Sequence, residues 1–184
     1  MIFDFRRENM TTIEAIKKRK STRAYKPDAI SEEAIETIIK AGCASPVAMA
    51  RYDSLHITVI QNEDVINNVC DITSNMFFEK MGVRKNVNFG AKTMVLVSTN
   101  PEALPYEMAC VNVGIVVENM VLAATDMGID SVILGGVPRA IAPNKELVKS
   151  LGIPDGFTPI LGAFLGYAEN DEHSKTHSIS VNRI

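Results

Sequence analysis

The chain has 184 residues, a hydrophobic fraction of 46% and a formal net charge of −3 at pH 7. This hydrophobic content supports a core of ordinary size, and the length predicts a single domain over residues 1–184. A net acidic chain lacks the broad basic surface of non-specific nucleic-acid binders, so we expect no nucleic-acid partner. Three widely spaced cysteines without a C-x-x-C pair indicate neither a zinc ribbon nor a disulfide framework.

The N-terminal segment, MIFDFRRENM, carries charges within its apolar run, which argues against a signal peptide. The longest apolar stretches contain Asn, Glu or Asp and are shorter than a membrane span requires. We therefore expect a cytoplasmic protein without a membrane partner.

The first predicted helix begins at Thr11, three residues before Glu14, which is the spacing of a capping box. It ends in the strongly basic run KKRKSTRAYKP, residues 17–27, where Pro27 prevents continuation. Lysine and arginine are favourable at a helix C-terminus, so this run can be an ordinary solvated helix end.

A second explanation for the basic run is a pocket for an anion, in which guanidinium groups and a hydroxyl converge. Arg19, Ser21 and Arg23 alternate along the chain, so an extended backbone would place them on one side. The residues by themselves leave both explanations open.

The next elements alternate between helix and strand. Ser31 is predicted to cap a second helix with Ile35, Ile38 and Ile39 on its buried face and Gly42 as its stop. Two strands, SLHITVI (54–60) and TMVLVST (93–99), flank a helix over residues 63–82. The second strand is nearly all apolar, which predicts a central position in its sheet.

The segment EMACVNVGIVVENMVLAATDM, residues 107–127, is apolar almost all round. A helix of this kind must be buried on most faces, and in a chain of this size a second copy could cover part of it.

A third strand, SVILGG (131–136), ends in a double glycine, followed by a helix from Asn144 to Ser150 and a fourth strand, TPILGAFLGYA (158–168). The glycine pair is part of neither a G-x-G-x-x-G nor a Walker motif. It can form a simple turn, or it can let backbone approach a flat ligand closely. The order of elements predicts an α+β fold.

His173 and His177 have the i, i+4 spacing of metal ligands, but no third ligand is near, so we expect no metal site.

Four segments together resemble the FMN-dependent nitroreductase family, and they occur in the order typical of that family. They are RKSTRAY (19–25), ASPVAMARYDSLHITVI (44–60), GIVVENMVLAATDMGIDSVILGG (114–136) and LGIPDGFTPILGAFLGY (151–167). The resemblance covers nearly the whole chain. It implies a nitroreductase-like sandwich, with a small, mainly antiparallel sheet flanked by helices, in an intertwined homodimer that holds FMN between subunits.

The resemblance also implies roles for individual residues. Arg19 and Ser21 would hold the FMN phosphate and ribityl chain with Lys20 alongside, and Arg23 would lie near the N1/O2 edge of the flavin. The backbone of Leu134, Gly135 and Gly136 would approach the flavin ring near N5.

A second set of residues would contact the same cofactor from elsewhere in the dimer. The partner subunit would contribute Pro46, Ala48, Met49 and Arg51, with Arg51 standing near the position where the family usually has Asn. A basic residue close to the C-terminus, Lys175 or Arg183, or else His177, would reach the phosphate.

The reaction implied by the resemblance has two steps. NADH or NADPH delivers hydride to flavin N5 and leaves, and a small electron-poor acceptor such as a nitro compound or quinone then takes the electrons. No side chain is assigned as a catalytic acid. The alternatives are another flavin reaction on this fold, a flavin-binding sensor or storage protein without turnover, and an α+β domain that binds no flavin. The sequence leaves the physiological acceptor and the choice between NADH and NADPH open.

Overall fold

The structure is a computed structural model that describes residues 10–170 and 177–184. Its helices are α1 (Thr12–Lys18), α2 (Glu32–Cys43), α3 (Glu63–Met81), α4 (Tyr106–Asp126), α5 (Gly136–Ile141) and α6 (Lys145–Ser150). Its strands are β1 (Leu55–Ile60), β2 (Thr93–Thr99), β3 (Asp130–Leu134) and β4 (Thr158–Gly166). Two short 3₁₀ turns, Ala48–Ala50 and Tyr52–Ser54, connect α2 to β1.

The four strands form an antiparallel sheet in the order β1-β2-β4-β3. All seven residues of β2 are buried, which confirms its predicted central position. β1 and β3 are the outer strands, so two strands separate them. The predicted α+β class, with a small antiparallel sheet flanked by helices, is confirmed.

Alternate residues of the central strands face opposite layers, as the two-residue period of a strand requires. Met94 and Leu96 point into a core shared with α3, α5 and α6. Val95 and Val97 point into a second core shared with α2 and α4. The sheet is therefore covered by helices on both faces, and its two outer edges are the places where loops and other segments reach it.

The helix ends follow local sequence rules. The predicted capping box forms, because the Thr11 backbone N–H donates to Glu14 Oε2 at 2.7 Å and the Glu14 N–H donates to Thr11 Oγ1 at 3.3 Å. The predicted stop at Gly42 was wrong: α2 continues to Cys43. A Cβ on Gly42 would lie 2.7 Å from Met120 Cγ, so this glycine permits close packing of α2 against α4.

The long apolar helix is present as α4, but only part of its surface is buried within the chain. The buried side faces α2 and the sheet, and includes Val113, Val117 and Met120. Tyr106 is 62% exposed and Val111 59% exposed. The expectation that every apolar stretch is shorter than a membrane span was wrong. Among the described residues α4 alone has the length and apolarity to cross a membrane, although the core helix of a globular protein can have the same length and apolarity.

Candidate cofactor site

The basic run leaves α1 in an extended conformation, the one in which Arg19, Ser21 and Arg23 can share a side, and crosses the start of the outer strand β3. Ser21 forms a parallel bridge with Ser131, and the Thr22 N–H donates to the Ser131 carbonyl at 2.9 Å. Further on, Tyr25 forms an antiparallel bridge with Ala168, just beyond β4. These backbone bonds hold the run in place, so its side chains are not those of a frayed helix end.

The cations of this run lie beside acidic groups of the neighbouring elements. Arg19 Nε is 3.8 Å from Glu118 Oε1 on α4, and Lys20 Nζ is 3.8 Å from Asp130 Oδ1 at the start of β3. Arg23 is exposed, and its Nη1 donates to the Ser21 carbonyl at 3.2 Å. An incoming anion would therefore find several cations within five residues, but it would compete with carboxylates for two of them.

Tyr25 anchors the far end of the run. Its side chain is 4% exposed and its hydroxyl is 3.4 Å from the Phe164 carbonyl, which accepts the hydrogen bond. Burial, with a smaller contribution from the negative charge of Asp130, raises the pKa of the Tyr25 hydroxyl far above its ordinary value. The hydroxyl is therefore neutral at physiological pH and its role is to position the run.

The two glycines after β3 have different environments. A Cβ on Gly136 would lie 2.8 Å from Phe77 Cζ of α3, so packing within the chain requires this glycine. A Cβ on Gly135 would have Leu161 Cδ1 as its nearest neighbour, at 3.9 Å. Gly135 is exposed, with φ −85° and ψ −14°, a conformation that any residue can adopt. Nothing in the part of the chain that the structure describes therefore requires a glycine at 135, and a flat ligand could lie against its backbone.

Residues 46–51, which connect α2 to β1, contain local strain. Met49 and Ala50 have φ of 56° and 54°, left-handed values that cost a residue with a side chain about 1–2 kcal/mol. The Met49 side chain is 77% exposed. Such strain is found where a loop is held in shape for binding, and we take it as support for a functional role of this loop.

Two amides of α4 hold this loop, and the sequence analysis missed both of them. Asn112 Oδ1 accepts from the Ala48 N–H at 3.0 Å, and Asn119 Nδ2 donates to Ser45 Oγ at 2.9 Å. Asn112 is 1% exposed and its Nδ2 has no hydrogen-bond partner within the described residues. The signal available in the sequence was the presence of amides in an otherwise apolar helix.

Arg51 is engaged within its own chain. Its Nε and Nη2 donate to the two Asp53 carboxylate oxygens at 3.0 and 3.1 Å, and its Nη1 donates to the Ala103 carbonyl at 3.4 Å. These hydrogen bonds from Arg51 lower the pKa of Asp53 below its ordinary value. To contact a flavin as predicted, the Arg51 guanidinium would have to break its hydrogen bonds with Asp53 or donate from one of its remaining N–H groups.

The structure brings some of the predicted site residues together and keeps others apart. Ser21 lies beside Ser131 at one end of β3, and Gly135 follows the other end, about 13 Å away at 3.3 Å per residue. Residues 46–51 precede β1, the strand at the opposite edge of the sheet, which is about 14 Å from β3 at the usual strand spacing. The start of this loop and the basic run both contact α4, where Asn119 bonds to Ser45 and Glu118 lies beside Arg19.

Only some of the C-terminal residues predicted to reach the phosphate lie within the described part of the chain. Arg183 lies in the exposed segment 177–184 with His177, and Lys175 and His173 are outside the described residues. Within residues 10–170 and 177–184, no group of three or more His, Cys, Asp or Glu could hold a metal ion.

Comparison with known proteins identifies one sequence family and several similar proteins. The sequence model of the nitroreductase family matches residues 16–167. A relative from Archaeoglobus fulgidus, provisionally named an NADH dehydrogenase/NAD(P)H nitroreductase, is 30% identical over 154 residues, covering 84% of this chain and 83% of that protein.

Two solved structures share the fold. A nitroreductase with bound FMN from Desulfitobacterium hafniense superposes with a TM-score of 0.81 at 25% identity, covering 95% of this chain and 100% of that chain. A nitroreductase with bound FMN from Bacteroides fragilis gives a TM-score of 0.80 at 25% identity, covering 95% and 97%.

Proposed function

Because this chain belongs to the nitroreductase family, we propose that it is an FMN-dependent oxidoreductase with NADH or NADPH as its electron donor. Its acceptors are nitro compounds, quinones or similar small electron-poor molecules. Bound FMN would supply the chemistry, taking hydride from the donor and passing electrons to the acceptor in two steps, and the protein would supply binding and electrostatics. Similarity to two nitroreductases that hold FMN supports this choice of cofactor.

One observation carries the proposal: β3 has a cation-rich segment at its start and an open glycine after its end. FMN has a phosphate at one end and a flat ring system at the other. Arg19, Ser21 and Lys20 present charge and a hydroxyl where the phosphate would be held. Gly135 leaves backbone accessible where the ring would lie. The spacing of about 13 Å along β3 suits a ligand of this length.

The side chains act through position and charge. Arg23 adds a positive charge to the same segment. Its guanidinium contacts the Ser21 carbonyl in the single chain and would turn away from it to lie beside the flavin, where a cation would favour the negatively charged reduced form. The backbone of Leu134, Gly135 and Gly136 would orient the ring. Tyr25 keeps the basic segment against the sheet. No side chain is proposed as a general acid or base.

We further propose that the functional unit is a homodimer in which each cofactor lies between subunits. Pro46, Ala48, Met49 and Arg51 precede β1, far from β3 of the same chain, so they would complete the site of the partner subunit. Exposed apolar side chains on two helices are available for the contact. They are Ile13 and Ile16 on α1, and Tyr106, Met108 and Val111 on α4. A basic C-terminal residue, Lys175 or Arg183, would reach the phosphate.

The decisive experiment is a spectrum of the purified protein followed by anaerobic reduction. We expect a yellow protein with about one FMN per chain, released by heat and identified by chromatography. NADH or NADPH should bleach the flavin, and a nitroaromatic compound or quinone should restore its absorbance. A protein that binds no flavin after reconstitution would refute the proposal. Flavin that is bound but never reduced by either nucleotide would indicate a binding protein without turnover.

A further inference from the structure

A cavity lies between α3 and the loop that follows it. Its volume is about 570 Å³, within the range of pockets that bind small ligands. Polar and basic side chains from both elements line it: Asn67, Cys70, Asp71, Ser74, Arg84, Lys85, Asn86 and Asn88, together with Val87. None of these residues has a role in the flavin site described above.

Phe77 links the glycine pair to Lys85, one of the residues that line the cavity. This aromatic ring fills the space beside Gly136, and Lys85 Nζ lies 5.4 Å from the centre of the same ring. Ser74 and Asp71 are three and six residues before Phe77 on α3, or about 4.5 and 9 Å along the helix axis. A ligand with one end at Gly135 could therefore place its other end in this cavity.

The charge of the cavity is positive. Arg84 and Lys85 contribute two cations, which lie 5.2 and 5.4 Å from the centres of the Phe78 and Phe77 rings. Asp71 is the only carboxylate among the described residues that line the cavity. Burial, with a smaller contribution from Asp71, raises the pKa of the Cys70 thiol to about 12, so Cys70 is neutral at physiological pH. Three asparagine amides offer further donors. This set of groups suits a phosphate better than a neutral or cationic ligand.

Hydrogen bonds hold the two walls of the cavity together before any ligand arrives. Arg84 Nη1 donates to Asn75 Oδ1 at 2.9 Å, and Asn88 Nδ2 donates to Asn67 Oδ1 at 3.4 Å, so the loop is tied to α3 near both of its ends. Within the loop, Asn86 Oδ1 accepts from the Asn88 and Phe89 N–H groups at 3.2 and 3.3 Å. A preformed site of this kind loses less conformational entropy when it binds a ligand.

We propose that this cavity binds the 2′-phosphoadenosine end of NADPH, and that Arg84 and Lys85 make NADPH the preferred donor over NADH. The inference rests on the proposed function, in which a nicotinamide must reach the flavin beside Gly135. NADPH and NADH differ only at the adenosine 2′ position, where one has a phosphate and the other a hydroxyl. Two cations at that position therefore discriminate between them.

The first test measures binding without any turnover. Adenosine 2′,5′-bisphosphate and adenosine 5′-monophosphate are titrated into the FMN-loaded protein by calorimetry at low salt. We expect the bisphosphate to bind at least about tenfold more tightly, and the double variant Arg84→Gln/Lys85→Gln to lose that advantage. Lys80→Gln is the matched control, because Lys80 is exposed on α3 and does not line the cavity. Equal affinities in the wild-type protein would overturn the inference.

The second test measures anaerobic flavin reduction by each nucleotide. In the wild-type protein NADPH should reach half-saturation at a lower concentration than NADH. The double variant should raise that concentration about tenfold to hundredfold for NADPH only, with the limiting rate and the NADH value unchanged. Reduction by both nucleotides without discrimination would overturn this inference and leave the proposed function standing. Bound FMN that neither nucleotide reduces would refute the proposed function itself, and the inference with it.

Discussion

The ring of Phe77 occupies the space beside Gly136, where a Cβ would come within 2.8 Å of Phe77 Cζ. This contact joins α3 to the start of α5 and fixes the turn that follows β3. The turn also contains Gly135, the position proposed to face the flavin. One glycine of the pair is therefore explained by packing and the other by the ligand, and the two explanations can be tested separately.

The variant Gly136→Ala should destabilise the fold. Its new methyl group forces Phe77 to move within the core contact between α3 and α5, and overpacking of this kind costs about 1–3 kcal/mol. Urea unfolding followed by circular dichroism measures the change. The double variant Gly136→Ala/Phe77→Leu should recover part of the lost stability, because the smaller side chain makes room.

The matched variant Gly135→Ala should leave the stability of the fold intact and weaken FMN binding instead. Its backbone conformation suits alanine and the nearest atom is 3.9 Å away, so the free energy of unfolding without FMN should stay the same or rise by up to about 1 kcal/mol. FMN affinity should fall, because the methyl group separates the backbone from the ring. Unchanged FMN affinity, measured by fluorescence quenching, would argue against a flavin at this position.

Arg19 and Arg23 should have distinguishable effects on the cofactor. Arg19→Ala removes a charge-assisted contact to the phosphate, worth about 1.5–3 kcal/mol, so FMN affinity should fall about tenfold to hundredfold. The reduction potential of the flavin still bound should be nearly normal. With the Arg23 guanidinium turned from the Ser21 carbonyl to the ring, as proposed, Arg23→Ala removes a cation from beside the ring, so the potential should become more negative.

Flavin and potentiometric titrations of these two variants measure both quantities. Lys18→Ala is the control, since it removes one positive charge from the same region but lies within α1. If Arg19→Ala and Arg23→Ala lower only solubility or stability, the basic run is an ordinary solvated helix end.

Glu118→Gln should strengthen FMN binding. In the single chain the Glu118 carboxylate lies 3.8 Å from Arg19 Nε and competes with the phosphate for it. Glu118 is about half exposed, and pairs of this kind contribute about 0.2–1 kcal/mol, so the gain should be no more than about fivefold. The gain should disappear when Arg19 is also replaced by Ala. Weaker binding by Glu118→Gln would show that the carboxylate supports Arg19 instead of competing with the phosphate.

Val111→Glu should dissociate the proposed dimer and, by the same change, weaken FMN binding. Val111 is 59% exposed on the apolar side of α4, and a carboxylate buried there without a partner would cost about 3–5 kcal/mol of association free energy. Light scattering should show a monomer at micromolar concentration, with weaker FMN binding. Gln61→Glu, at an exposed position after β1, adds the same charge as a control. A monomeric variant that still binds FMN fully would refute a site between subunits.

Ala50→Gly should stabilise the protein without cofactor. Ala50 has a φ of 54°, a conformation in which glycine avoids a cost of about 1–2 kcal/mol. Ala41→Gly, within α2, should instead destabilise by about 0.5–1 kcal/mol because glycine disfavours a helix interior. Urea unfolding measures the free energy of unfolding of both variants. A loss of stability in Ala50→Gly would show that the loop has a different conformation in solution.

Features set by neighbouring residues could be predicted from the sequence by itself. The capping box at Thr11 and Glu14, the buried strand β2 and the long helix α4 depend on spacing and hydrophobic period, which act over a few residues. The family followed from four such segments in order, and the match over residues 16–167 confirms it.

Contacts between distant segments were decided only by the tertiary structure. The sequence could not show that Gly136 packs against Phe77 while Gly135 stays open, because the two glycines are neighbours with the same local signal. Nor could it show that Asn112 holds the loop at Ala48, or that Arg51 is already paired with Asp53. The separation of β1 and β3 by two strands, on which the proposed dimer site rests, depends on strand order. Strand order is set by which hydrophobic surfaces pack together, and local sequence does not encode it.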